Sequence, residues 1–152
     1  MGVAYNIISA GAVEQYPFAV RSLRSFGMAP PPPSGPSRNP SPQELRTVLD
    51  ELAGYRTSYS VGPGNWQASV DAIAGFPLFR RETLISVVDY SGQETVPHLF
   101  YFEGDPRLNI LIVERLSRLC GPLFVFPDTG ARPVLVTPGL DPRDAVRVWI
   151  SE

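Results

Sequence analysis

Hydrophobic and polar positions change rhythm several times along this chain, and each rhythm predicts an element. Val3–Ser9 is apolar and β-branched enough for a first strand, which Gly11 breaks. Pro17 suits the first turn of a helix, and Phe18, Ala19, Ser22, Leu23 and Phe26 then share one face until Gly27. Ser41-Pro42-Gln43-Glu44 reads as a capping box with proline at the first helical position. Behind it Leu45, Val48, Leu49 and Leu52 recur at helical spacing, and Gly54 closes the run. Tyr55–Val61 alternates strictly, with Tyr55, Thr57, Tyr59 and Val61 on one face, so it predicts a strand ending in the turn Gly62-Pro63-Gly64-Asn65. Residues 66–73 fit two patterns. Trp66, Ala68 and Val70 alternate as in a strand, while Trp66, Ser69, Val70 and Ile73 would share one side of a helix capped by Asn65. The short preceding turn favours the strand, as hairpin partner of 55–61.

Thr83–Tyr90 and Pro97–Glu103 predict a second hairpin across Ser91-Gly92. Setting Asp89 opposite His98, Val87 opposite Phe100 and Ile85 opposite Phe102 makes one face wholly apolar, which selects that register. The other face, with Ser86, Tyr90, Tyr101 and Glu103, is half polar and expected to point outward. Asp105-Pro106 starts another helix, with Leu108, Leu111, Ile112, Leu116 and Leu119 as its stripe and Gly121 as its stop. Leu123–Phe126 and Val134–Thr137 form a further hairpin around Asp128-Thr129-Gly130. Asp141-Pro142 opens a last helix that packs Ala145, Val146, Trp149 and Ile150. The expected architecture is α+β: one domain over 1–152, a mostly antiparallel sheet of about five or six strands, and helices packed on one face.

One stretch resists this scheme. Seven of the thirteen residues from Pro30 to Pro42 are proline. The last of them belong to the start of the helix at Pro42. The earlier ones predict an exposed polyproline loop over about 28–40, with a PxxP ligand as the alternative reading.

Composition narrows the chemistry. Hydrophobic residues make up 43% and charged residues 18% of the 152, which suits a globular domain. The formal charge of −2 creates no basic field, and Arg80-Arg81 and Arg115/Arg118 are isolated pairs, so no nucleic-acid partner is expected. All 13 basic residues are arginine, which removes any Schiff-base or P-loop lysine. The single cysteine, Cys120, allows no intrachain disulfide, and the opening MGVAYNIISAGAVEQ has no basic n-region; both fit a cytoplasmic protein. Apolar runs fall well short of the roughly 18 residues of a membrane helix, so no membrane is expected.

His98 is the only histidine, so a two-histidine metal centre is excluded. Asp89, Glu103 and Asp105 lack the spacing of a calcium loop. No metal and no cofactor are expected. Asp89 and His98 could form an acid–base dyad, or only a cross-strand pair at the mouth of a hairpin. Asp128-Thr129-Gly130-Ala131, following Leu-Phe-Val-Phe, resembles the active-site stretch of retroviral-type aspartic proteases. Pro127 departs from that pattern, too little chain follows for the rest of such an enzyme, and a hairpin turn accounts for the same residues. These two features define the hydrolase alternative.

From Glu82 to Asp105 the chain carries Glu82, Asp89, Glu94, Glu103 and Asp105 without an arginine, and Tyr90 and Tyr101 lie in the same span. Acids dressed with tyrosine suit the capture of a basic protein surface, with Asp89, Tyr90, Glu94, Tyr101 and Glu103 as the candidate contacts. The order of elements through HLFYFEGDPRLNILIVERLSRLCGPLFVFPDTGARPVLV is similar to that of small immunity proteins, which protect bacteria from polymorphic toxins; the likeness covers roughly 55–137. The resemblance implies a non-enzymatic cytoplasmic protein that binds and neutralises a cognate toxin. A homodimeric regulator or scaffold is the other non-enzymatic reading.

Overall fold

A computed structural model describes residues 3–30, 37–73 and 82–149. The elements run β1 (Ala4–Ser9), α1 (Pro17–Ser25), α2 (Pro42–Asp50), β2 (Tyr55–Gly62), β3 (Asn65–Ala72), β4 (Thr83–Val88), β5 (Leu99–Gly104), α3 (Pro106–Cys120), β6 (Leu123–Pro127), β7 (Val134–Val136) and α4 (Pro142–Ala145). Short 3₁₀ turns occupy Val13–Gln15 and Val146–Val148.

Among the described residues the strands form one seven-stranded sheet in the order β2-β3-β4-β5-β1-β6-β7. Every pairing is antiparallel. The class is α+β, and the sheet is slightly larger than the five or six strands expected. β1 inserts between β5 and β6, which welds the hairpins on either side into a single sheet. Residues 66–73 resolve as strand: Trp66 pairs with Val61 and Val70 with Thr57, so Trp66, Ala68 and Val70 all face the core. The β4–β5 register is the expected one, with Val87 opposite Phe100 and Ile85 opposite Phe102.

The cap-and-proline signals hold at three helices. Ser41 and Glu44 make a reciprocal capping box at α2, Asp105 accepts from Arg107 N at α3, and Asp141 accepts from Arg143 N at α4. α4 is only four residues long and passes into the 3₁₀ turn at Val146–Val148; Ile150 lies outside the described residues. On α3 the buried surface is wider than one stripe. Ile110, Val113, Glu114, Ser117 and Cys120 are buried with Leu108, Ile112 and Leu116, because α3 touches the sheet, α2 and α4. Leu119, expected in the stripe, is instead 49% exposed.

The main core lies between one sheet face and α2, α3 and α4, and includes Tyr5, Ile7, Trp66, Ile85, Phe100 and Phe102. One helix departs from the one-sided packing expected. α1 covers the opposite face, where Ala19 and Leu23 join Ile8, Phe124 and Phe126 in a smaller cluster. Strand alternation is the cause: Ile7 and Val125 face α3, so Ile8, Phe124 and Phe126 must face the other way and need a cover of their own.

The proline-rich segment is only partly an exposed loop. Residues 31–36 lie outside the described residues, and Ala29 and Pro30 are exposed. Asn39 and Pro40, however, are buried. Asn39 Oδ1 accepts from Ser9 N at 2.7 Å, and its amide donates to Tyr16 Oη at 3.2 Å. The Ser9 and Ser37 hydroxyls are 2.6 Å apart. Arg38 forms a two-pronged ion pair with Glu44, at 2.5 and 2.7 Å. The return limb thus ties β1, α1 and α2 together.

Candidate interaction surface

The two sides of the sheet are not equally covered. Over β1 and β6 both faces are packed. Over β2 to β5 helices cover only the face bearing Trp66, Ala68, Val70, Ile85, Phe100 and Phe102. The residues between these point the other way, and apart from Leu99, which packs against the α1 cluster, no helix among the described residues covers them. The pairing sets them in rows: Asn6, Tyr101, Ser86, Gln67 and Ser60 in one, Ala4, Glu103, Leu84, Ser69 and Ser58 in the next. Among the small polar side chains of this open face Leu84 and Val88 are each 38% exposed and Ile73, just past β3, is 43% exposed. Tyr101, half-buried, stands beside them.

The acids on this face gather at one end. Asp71 lies near the end of β3, Glu82 precedes β4 and Glu103 lies near the end of β5; all three are exposed. Asp128, just beyond β6, is at the same end, where its Oδ1 accepts from Ala4 N at 3.2 Å. A hydrogen bond with Asp71 and the repulsion of its charge raise the Glu82 carboxyl above its ordinary value. Burial, then the charges of Asp128 and Glu103, raise the Tyr101 hydroxyl and keep it protonated. Arg56, paired across the strands with Asp71, and Arg107, 3.9 Å from Asp105, are cations at this end.

The five residues expected to contact a partner divide between two places. Tyr101 and Glu103 lie on the open face. Asp89, Tyr90 and Glu94 lie at the opposite end of the β4–β5 hairpin. Asp89 is exposed and takes a left-handed backbone, with φ of 52°. That turn swings Tyr90 inward, so it is buried rather than on the outer face. The Tyr90 hydroxyl donates to Glu94 Oε2 at 2.8 Å, and Arg46 Nε donates to Glu94 Oε1 at 2.6 Å. Burial alone would raise the Glu94 carboxyl, but these two bonds pull it below its ordinary range. The Arg46 guanidinium also lies over the Tyr59 ring at 4.3 Å and the Trp66 ring at 5.4 Å. This cluster fastens α2 to the sheet and to the hairpin loop.

The hydrolase candidates are engaged in local structure. His98 Nδ1 faces Val96 O at 2.8 Å, and Nε2 lies 3.2 Å from Ser91 N and 2.9 Å from Ser91 Oγ. The two ring nitrogens thus hold the hairpin loop closed. Asp128 pins the start of β1 to the turn after β6, accepting from Ala4 N and donating its own N–H to Ala4 O at 2.8 Å. No cluster of three metal-ligating side chains occurs among the described residues, and none of their helices is long and apolar enough to cross a membrane.

Asp71, Ile73, Leu84 and Val88 were not singled out from the chain. Their signal was present in the alternation of β3 and β4, but alternation tells which residues share a face, not which face is left uncovered.

Set against protein-family models, curated proteins and solved structures, the chain matches none.

Proposed function

We propose that this is a non-enzymatic binding protein that holds a basic protein surface against the open face of β2 to β5, and that its partner is a cognate bacterial toxin which it neutralises in the cytoplasm. The observation that carries the reading is the composition of that face. Leu84, Val88 and Tyr101 offer apolar and aromatic contacts along β4 and β5, Ile73 follows β3, and Asp71, Glu82 and Glu103 set negative charge at one end. Apolar anchors beside a charged edge suit a specific interface: the anchors supply affinity, and the charge steers encounter and sets the sign of the partner. The likeness of element order to immunity proteins points to the same class of partner. The hydrogen bonds of His98 and Asp128 to their own loops give each a structural role that needs no chemistry, which favours the binding reading over the hydrolase.

The test is binding to, and protection against, the product of the open reading frame neighbouring this chain's gene. Tyr101→Ala and Leu84→Ser should each weaken binding about 30-fold, as interface anchors do. Their melting temperatures should stay close to that of the parent. Glu103→Arg should slow association, and the parent's association rate should fall as salt is added. Full binding by all three variants would remove the open face from the interface. Turnover of a peptide or small molecule that disappears in His98→Ala or Asp128→Asn would replace this reading with the hydrolase.

A further inference from the structure

Where β5 passes into α3 and β6 into its turn, the acidic end of the sheet contains a recess of about 420 Å³. Tyr5, Gly104, Pro106, Pro127, Thr129 and Trp149 line it. Tyr5 and Trp149 are stacked obliquely, with ring centroids 5.0 Å apart and planes at 36°. The Trp149 indole N–H is already donated to Arg132 O at 2.7 Å, which orients the ring and leaves its π surface as what it can offer a ligand. Tyr5 and the two prolines complete an apolar wall.

An apolar recess would ordinarily call for an apolar guest, but the charges around this one argue otherwise. Asp105 stands between the lining residues Gly104 and Pro106, and Asp128 between Pro127 and Thr129; behind burial, their charges raise the Tyr5 hydroxyl. Glu103 adjoins Gly104 in the chain. Cations near it in the chain are Arg107, which lies 3.9 Å from Asp105, Arg132, whose carbonyl holds Trp149, and Arg147, which lies 3.5 Å from Asp144. Aromatic faces inside a negative field are the setting in which a cation is favoured over a neutral group of equal size. A guanidinium suits it better than an ammonium, being planar, able to stack on indole and less costly to strip of water.

We propose that the Tyr5–Trp149 recess receives an arginine side chain presented by the protein's basic partner. The inference deepens the function proposed above by naming a contact that gives the partner its chemical signature. The recess lies at the same end of the sheet as Asp71, Glu82 and Glu103 but on the helix-covered side, so a partner that wraps the end of the sheet reaches both.

The peptide acetyl-Gly-Arg-Gly-amide serves as the probe, with its citrulline counterpart as a neutral isostere. Titrated into ¹⁵N-labelled protein, the arginine peptide should saturably shift the Trp149 indole signal and the Thr129 and Ala131 amides. The indole of Trp66, deep in the core, should not move. Citrulline should bind about ten-fold more weakly. Asp128→Asn, an exposed change, should weaken the arginine peptide several-fold; Trp149→Leu, followed by the Thr129 and Ala131 amides, should abolish binding. No saturable shift, or equal binding of the two peptides, overturns the proposal. If Trp149→Leu does not fold, Asp128→Asn and the citrulline comparison decide the matter. Toxin binding that persists without peptide binding would retire the recess alone. Peptide binding without toxin binding would retire the toxin and leave the recess.

Discussion

Cys120 shows how neighbours set the chemistry of a single residue. Its sulfur is buried, 3.9 Å from both Glu44 carboxylate oxygens and 3.7 Å from Arg38 Nη1. Burial, then the Glu44 charge, push the thiol up to about 12 against the opposing pull of Arg38. The nucleophilic thiolate is therefore scarce at neutral pH. Ellman's reagent should leave the native protein unmodified and react only as denaturant opens it; rapid native labelling would contradict this placement. Glu44 is perturbed in the opposite sense. Its hydrogen bond with Arg38 lowers the carboxyl below its reference value of 4.5, against the cost of burial. A depressed folded-state pKa contributes stability that is present above the unfolded value and lost as pH falls through the folded one. Glu44→Gln keeps a capping-box side chain but loses the charge. Because Arg38 is largely exposed, the substitution should cost less than about 1 kcal/mol at neutral pH. In denaturant titrations that gap should close as pH drops through the carboxylate range.

At the scale of elements, junctions matter more than interiors. Gly104 ends β5 with φ of 119°, and a Cβ there would lie 2.3 Å from Glu82 O and 2.7 Å from Thr83 Cα. Both are backbone atoms and cannot step aside. Gly104→Ala should cost at least about 2 kcal/mol in chemical denaturation, through clash and a backbone that alanine resists. It should also disturb the Asp105 cap that follows. Ser41→Ala should cost about 1 kcal/mol by removing the oxygen that accepts from Glu44 N. The caps of α2, α3 and α4 were legible in the chain because a cap is local chemistry: a short acceptor, then a proline that loses nothing by lacking an N–H. The inward swing of Tyr90 was not legible, since it follows from one left-handed residue, Asp89, that strand alternation does not reveal.

Across the whole molecule the sheet divides two unequal cores. The larger joins α2, α3 and α4 to residues from β1 through β7, whereas the smaller holds α1 against Ile8, Phe124 and Phe126. α1 has few buried residues, Ala19 and Leu23, while most of α3 is buried. Local opening follows such differences in buried contact. Hydrogen exchange should therefore find the α1 amides released by a partial opening that leaves α3 protected; equal protection of the two helices would show that the molecule opens only as a unit.

Local patterns in the chain determined the α+β class, the register of β4 on β5 and the starts of three helices. Each depends on contacts between near neighbours or on one consistent apolar face. Tertiary structure decided the rest. The insertion of β1 between β5 and β6, the crossing of α1 to the other side, and the burial of Asn39 and Pro40 arise from partners far apart in the chain. The same holds for function. Tyr101 and Glu103 could be named from the sequence as candidate contacts, but their neighbours Leu84, Asp71 and Glu82, and the recess between Tyr5 and Trp149, exist only where strands distant in sequence end side by side.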